Sequence, residues 1–174
     1  MPCRRIYNNM ETDFINSPGT REVANMKYSE GKIGRVFVIR LEDGDDLPGC
    51  IERFSEEKKV LTAQAILMGG IGSGQVVSGP RRNKELPIEP MLVPIDGVHE
   101  VVGLGVLAPD KGGKPTLHIH AALGRAGSTI TGCLREGVKT WLVGEVILFE
   151  ILGTNMARLP DEASGFDLLT RTGA

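Results

Sequence analysis

Hydrophobic positions in this chain come in short runs that alternate with polar ones, and each run stops at glycine, proline or aspartate. Residues 34–46, GRVFVIRLEDGDD, join the β-branched and aromatic residues Val36, Phe37, Val38 and Ile39 to a Gly-Asp turn, the pattern of a strand and its exit. One helical stripe follows. Asp45 or Asp46 can cap it, Pro48 suits its first turn, and Ile51, Phe54, Lys58 and Val60 recur at roughly helical spacing. LTAQAILMGG and GQVVSGP then read as two strands joined by a glycine-rich loop over 69–74. Beyond Pro87, Pro90 and Pro94, HEVVGLGVLAP reads as a strand ended by a turn at 109–113. TLHIHAALG, STITGCLREG and TWLVGEVILFEILG complete the set. Many strand signals with a single helix predict an α+β fold, a mostly antiparallel sheet packed against that helix, and not alternating βαβ units.

The pattern also divides the chain. Residues 1–30 are polar and read as an N-terminal arm, 31–153 as the domain, and 154–174, polar again, as a peripheral tail. A length of 174 residues suits one domain with one core. Its 41% hydrophobic and 24% charged residues are those of an ordinary folded protein.

Charge narrows the partners. Twenty Lys and Arg against 22 Asp and Glu give a net charge of −2, without the positive footprint that binds phosphate backbones. The densest basic stretch, GPRRNK at 79–84, reads as a solvated loop. Cys3, Cys50 and Cys133 are too few and too scattered for a disulfide framework, which points to a reducing compartment. MPCRRIYNNMETDF lacks the apolar segment of a signal peptide, and no apolar run approaches the ~18 residues of a membrane span. The expectation is a cytoplasmic protein without a membrane partner.

The glycines of GGIGSG invite a phosphate-binding reading, but the dinucleotide fingerprint needs glycine where Gln75 stands, and no Gly-Lys-Ser/Thr follows for a P-loop. They are read as permitting a tight backbone path.

Chemistry gathers in TLHIHAALG, which holds two of the three histidines. On a strand, Thr116, His118, His120 and Ala122 share one face, while Leu117, Ile119, Ala121 and Leu123 take the other and belong in the core. Same-face neighbours stand roughly 6–7 Å apart, so the two imidazoles can hold one ion, most plausibly zinc. A third ligand is needed. Cys133, on the segment 128–134 just past a turn, is the candidate if that segment pairs antiparallel with the histidine strand. Two neutral imidazoles and a thiolate would leave a fourth position open for water or a small ligand; iron, nickel and copper share these ligand types. The competing reading keeps His118 and His120 as surface residues and Cys133 as a small buried hydrophobe.

Glu145 is out of place among Trp141, Val143, Ile147 and Phe149. It either lies at an interface or sheet edge paired with a donor, or reaches the histidines as a supporting or acid–base group. In a catalytic version, an open zinc position activates water and Glu145 or His99 moves protons, making a metal-dependent hydrolase.

The order of elements, with VFVIRLEDGDDLP, ILMGGIGSGQV, HEVVGLGVL, LHIHAALG, TGCLREG and GEVILFEIL, resembles the PPC domain, also called DUF296, over roughly residues 32–152. It is similar to the stand-alone prokaryotic type. The resemblance implies a compact α+β homotrimer with a histidine cluster that is associated with metal in some members. Prokaryotic relatives often carry a third histidine in a GGH segment; here Thr131, Gly132 and Cys133 occupy it, so cysteine replaces that histidine. Glutamate is also frequent at the position of Glu145. The plant members carry AT-hook motifs that contact DNA, which makes DNA binding an alternative function. No Arg-Gly-Arg-Pro core exists in this chain. The resulting expectation is a binding or regulatory module with a metal site at His118, His120 and Cys133.

Overall fold

The fold is that of a computed structural model describing residues 26–83, 85–86, 88–135 and 137–173; the arm expected over 1–30 lies outside these up to residue 25, as does Cys3. In chain order the elements are β1 (Lys32–Glu42), β2 (Asp46–Leu47), α1 (Gly49–Glu57), β3 (Ala63–Ser73), β4 (Gln75–Pro80) and β5 (Pro90–Pro94). They continue as β6 (His99–Pro109), β7 (Pro115–Arg125), β8 (Ser128–Leu134), β9 (Val138–Leu152), β10 (Met156–Asp161) and β11 (Phe166–Arg171). β1 to β9 form one nine-stranded sheet in the order β1-β9-β3-β6-β7-β8-β4-β5, with the short β2 also on β9. Every pairing is antiparallel. The expected α+β architecture, a mostly antiparallel sheet with one short helix, is what forms.

Period-two alternation decides which face is buried. On β6 and β7, alternate residues fill the core: Val101 and Leu107 on one strand, Ile119, Ala121 and Leu123 on the next. Leu67 of β3 and Leu148 of β9 extend the same layer. α1 covers this face through buried Ile51 and through Phe54, whose ring meets Phe37 edge-on with centroids 5.3 Å apart. Its Glu52 accepts a 2.8 Å hydrogen bond from the Leu117 N–H, tying the helix to β7.

The opposite face is unusually apolar for exposed positions. Val38, Met68, Val102, Leu104 and Val106 all stand exposed on it, Val38 at 82%. Register places Met68 beside Val102, and Val38 on the same face at β1, with β9 between β1 and β3.

The structure departs from the sequence reading in three places. Neither Asp45 nor Asp46 caps α1: Pro48 occupies the N-cap, without a side-chain hydrogen bond. Asp45 instead accepts from the Glu42 N–H, closing the turn after β1, and Asp46 belongs to β2 beside Lys139. The glycine-rich stretch is not a loop over 69–74, because β3 continues through Gly69–Ser73 against β9. Two extra residues of β9, Leu142 and Val143, bulge opposite Gly69 and Gly70. A Cβ at Gly69 would lie 2.5 Å from the Val143 carbonyl oxygen, so the absence of side chains is what lets the strands close; this is the tight path expected of these glycines. Finally, the residues read as a peripheral tail form the hairpin β10–β11, in which Ala157 and Arg158 are buried.

Candidate metal centre

The histidine strand folds as its alternation requires. Leu117, Ile119, Ala121 and Leu123 are buried, and His118 and His120 project together from the other face. β7 turns into β8 through Ala126 and Gly127, both at positive φ (49° and 81°), the conformation of a two-residue hairpin turn. This turn pairs Arg125 with Ser128 and therefore His120 with Cys133. Side chains directly opposite in an antiparallel pair lie on the same face, so the thiol joins the imidazoles.

Gly132 completes the local design. A Cβ there would collide with the Val77 carbonyl of β4, which pairs with β8 and buries Cys133 to 5% exposure. Both the cysteine and the glycine before it are thus set by strand packing.

The ligand-type atoms of His118, His120 and Cys133 all lie within 4.8 Å of one another. The two Nε2 atoms are 3.1 Å apart, with ring centroids at 4.9 Å and an interplanar angle of 76°. A tetrahedral zinc with Zn–N near 2.0–2.1 Å and Zn–S near 2.3 Å separates its ligand atoms by roughly 3.3–3.6 Å. The three residues fit such an ion with only small side-chain adjustment.

Electrostatics favour the ligand form of the imidazole. Burial, then the charges of Arg158, His120 and Arg135, lower the pKa of His118, keeping it neutral. Burial raises the Cys133 thiol, against the pull of Arg135 and Arg158, so a metal would displace its proton on binding. The Cys133 thiol donates only a long 3.7 Å contact to the Leu134 carbonyl.

The centre opens into a cavity of about 810 Å³ between the sheet, the start of α1 and the C-terminal hairpin. Arg158, Arg135, Phe166 and Leu168 line it beside the three candidate ligands. Arg158 is the residue that sequence reasoning missed. Its signal was available: Asp-Glu-Ala-Ser-Gly between two runs of strand-like residues reads as a hairpin turn.

Other singled-out residues lie elsewhere. Glu145 is exposed on the outer face, opposite Arg40 and Met68, and does not line this cavity. Arg40 pairs with Glu42 instead. The buried carboxylate of β9 is Glu150, 5% exposed, which accepts 2.7 and 2.8 Å bonds from the Arg35 guanidinium and one from its backbone N–H. Those bonds hold its pKa at about 2. His99 is buried at the far end of β6, its Nδ1 3.0 Å from the Gly97 carbonyl. Cys50 sits on α1, where burial and neighbouring Asp45 push its thiol up to about 11. In the GPRRNK stretch, Arg81 pairs with Glu89 and Arg82 with Glu85. No helix among the described residues is long and apolar enough to cross a membrane.

Fold and site together define a class: a small antiparallel-sheet protein with two histidines on one strand and a cysteine thiol opposite on the next. The Plants and Prokaryotes Conserved (PCC) domain matches residues 28–152, and the chain belongs to that family. Among solved structures, a metal-containing protein from Archaeoglobus fulgidus is 28% identical with a TM-score of 0.73, the match covering 84% of this chain and 100% of the other. A plant- and prokaryote-conserved (PPC) protein from Pyrococcus horikoshii shares the fold at 24% identity and a TM-score of 0.72, covering 86% and 100%. A protein from Bacteroides thetaiotaomicron, whose name offers DNA binding as a supposition, is 18% identical with a TM-score of 0.69, covering 86% and 100%. No functionally curated protein matches the chain.

Proposed function

We propose that this is a cytoplasmic, homotrimeric binding or regulatory protein of the PCC family that holds a transition metal, most simply zinc, on His118, His120 and Cys133. The observation that carries the reading is the convergence of three metal-ligating atoms within 4.8 Å from two adjacent strands. Three ligands leave the fourth position of a tetrahedral ion for a small molecule. The similarity to a metal-containing archaeal protein supports the same reading. The exposed apolar face of Val38, Val102 and Leu104 supports self-association, since contiguous patches of this kind usually mark interfaces.

DNA binding draws less support. The neighbours named for it share the fold at 18% and 16% identity, the net charge is −2, and Arg81 and Arg82 already have acidic partners. Hydrolysis would need a proton-moving group at the metal, and Glu145 and His99 both lie outside the cavity.

Elemental analysis of purified full-length protein tests the metal reading. The expected result is about one metal ion per chain, lost in a His118→Ala/His120→Ala variant that keeps its fold. Wild-type protein without stoichiometric metal, even after loading with zinc, would overturn it.

A further inference from the structure

The C-terminal hairpin brings to the candidate metal centre a buried charge that forms no ion pair with any described residue. Arg158 is 8% exposed, and one Nη2 hydrogen bond, 2.9 Å to the Val106 carbonyl, holds it against β6. Its Nε is buried with no hydrogen-bond partner among the described residues. It forms no ion pair among them either. Guanidinium does not lose its proton in proteins, so a buried one calls for an anion.

Two carboxylates of the cavity wall are engaged elsewhere. Glu52 accepts from the Leu117 N–H, and Asp110 accepts from the N–H groups of Gly112 and Lys114. Asp167, on the hairpin, lines the cavity and attracts Arg158 through space, but forms no direct ion pair with it.

We infer that the cavity binds a small monocarboxylate with an apolar body, one carboxylate oxygen taking the open metal position and the group as a whole pairing with Arg158. This rests on the metal reading above. A divalent ion on one thiolate and two neutral imidazoles retains a positive charge, Arg158 adds another, and Arg135 lies at the same cavity. An anion placed between the metal and Arg158 gives the buried guanidinium the direct partner that no described residue supplies. The guanidinium fork matches a carboxylate geometrically. Leu117, Phe166, Leu168 and Leu169 line much of the remaining space, and about 810 Å³ is within the range of small-molecule sites. The acidic Asp110 and Asp167 on the walls disfavour a doubly charged phosphate.

The test uses full-length protein loaded with cobalt(II), whose visible bands report its coordination, titrated with benzoate and separately with inorganic phosphate. Benzoate is expected to change the wild-type bands saturably, and more tightly than phosphate. Arg158→Met should weaken benzoate about tenfold to a hundredfold, the scale of one charge-assisted hydrogen bond, with Arg158→Lys in between. Circular dichroism shows whether each variant folds; if Arg158→Met does not, the wild-type bands and Arg158→Lys decide. The inference is overturned if cobalt binds but benzoate leaves the wild-type bands unchanged, if a folded Arg158→Met binds benzoate as tightly as wild type, or if phosphate binds more tightly. If no cobalt bands form at all, the metal reading fails first and takes this one with it, a result distinct from the others.

Discussion

Replacing Gly69 with alanine tests whether the GGIGSG glycines serve packing or ligand binding. Gly69 sits at φ +131°, a region that side-chain-bearing residues rarely adopt and that costs of order 1–3 kcal/mol when forced. A Cβ there would lie 2.5 Å from the Val143 carbonyl oxygen and 2.8 Å from Gly144 Cα. Both atoms are backbone, so neither can swing away, and relieving the clash means separating β3 from β9 beside the bulge, another ~1–3 kcal/mol by the scale of overpacked cores. Gly69→Ala should therefore destabilise the fold by about 2–6 kcal/mol.

Gly72→Ala is the internal control. It lies on the same strand without positive φ, and its Cβ would meet the Trp141 Cβ at 3.2 Å, a contact relieved by a shift of a few tenths of an ångström, against the 2.5 Å approach at Gly69. Its cost should stay under about 1 kcal/mol. Urea denaturation followed by circular dichroism measures both. If Gly69→Ala unfolds at the wild-type midpoint, the close-approach explanation is wrong. Loss of phosphate affinity with unchanged stability would restore the phosphate-loop reading.

Other consequences of the structure are open to direct measurement. Cys133→Ser should retain the fold but lose zinc affinity by more than the roughly 10–100-fold typical of outer-shell changes, as read by competition with a chelator. Because burial holds the Cys133 thiol protonated, zinc uptake by wild type near neutral pH should release about one proton, detectable by calorimetry in buffers of different ionisation enthalpy, and Cys133→Ser should release none. Glu150 has a folded pKa near 2 against an unfolded value of about 4.3, so its bonds with Arg35 stabilise fully above the unfolded value and fade as pH falls through the folded one. Glu150→Gln should flatten the acid dependence of stability between those values, and an unchanged slope would refute the assignment. If the outer face is the interface of the proposed trimer, Val38→Glu should shift sedimentation toward monomer without unfolding the chain, and an unchanged profile would refute that placement.

What was legible in the sequence was whatever period two controls. The buried and exposed faces of TLHIHAALG followed from alternation, and the nearness of Cys133 followed from a short turn between two runs. Irregular backbone hid the rest. The bulge at Leu142–Val143 exists only because β9 pairs with β3, a long-range fact, so a glycine run that continues a strand looked like a loop. The same limit explains why Glu145, conspicuous in an apolar run, proved solvent-facing, while Glu150 escaped notice at the point where Arg35 reaches β9. Asp45 and Asp46 misled because aspartate serves turns and helix caps alike, and here a turn and a strand pairing claimed them. For Arg158 the turn of its hairpin was legible, but that the hairpin folds back over the sheet and buries the guanidinium is again a long-range fact.

The candidate metal centre depends on the β7–β8 turn more than on any residue near it. Pairing Arg125 with Ser128 across Ala126 and Gly127 commits each step back along β7 to one step forward along β8, which is how His120 comes to face Cys133. A slip of one residue would place Thr131-side neighbours differently and send the thiol to the opposite face, because side-chain direction reverses at every position. Hydrophobic burial resists that slip, since it would also turn Ile130 and Leu134 away from the core and direct the exposed Thr129 and Thr131 into it. The same alternation that packs Leu117, Ile119, Ala121 and Leu123 into the core therefore holds the three ligand-type atoms together. Stability of the sheet and geometry of the site are one property of this hairpin, and the hairpin at the C-terminus adds the charge that the sheet cannot supply.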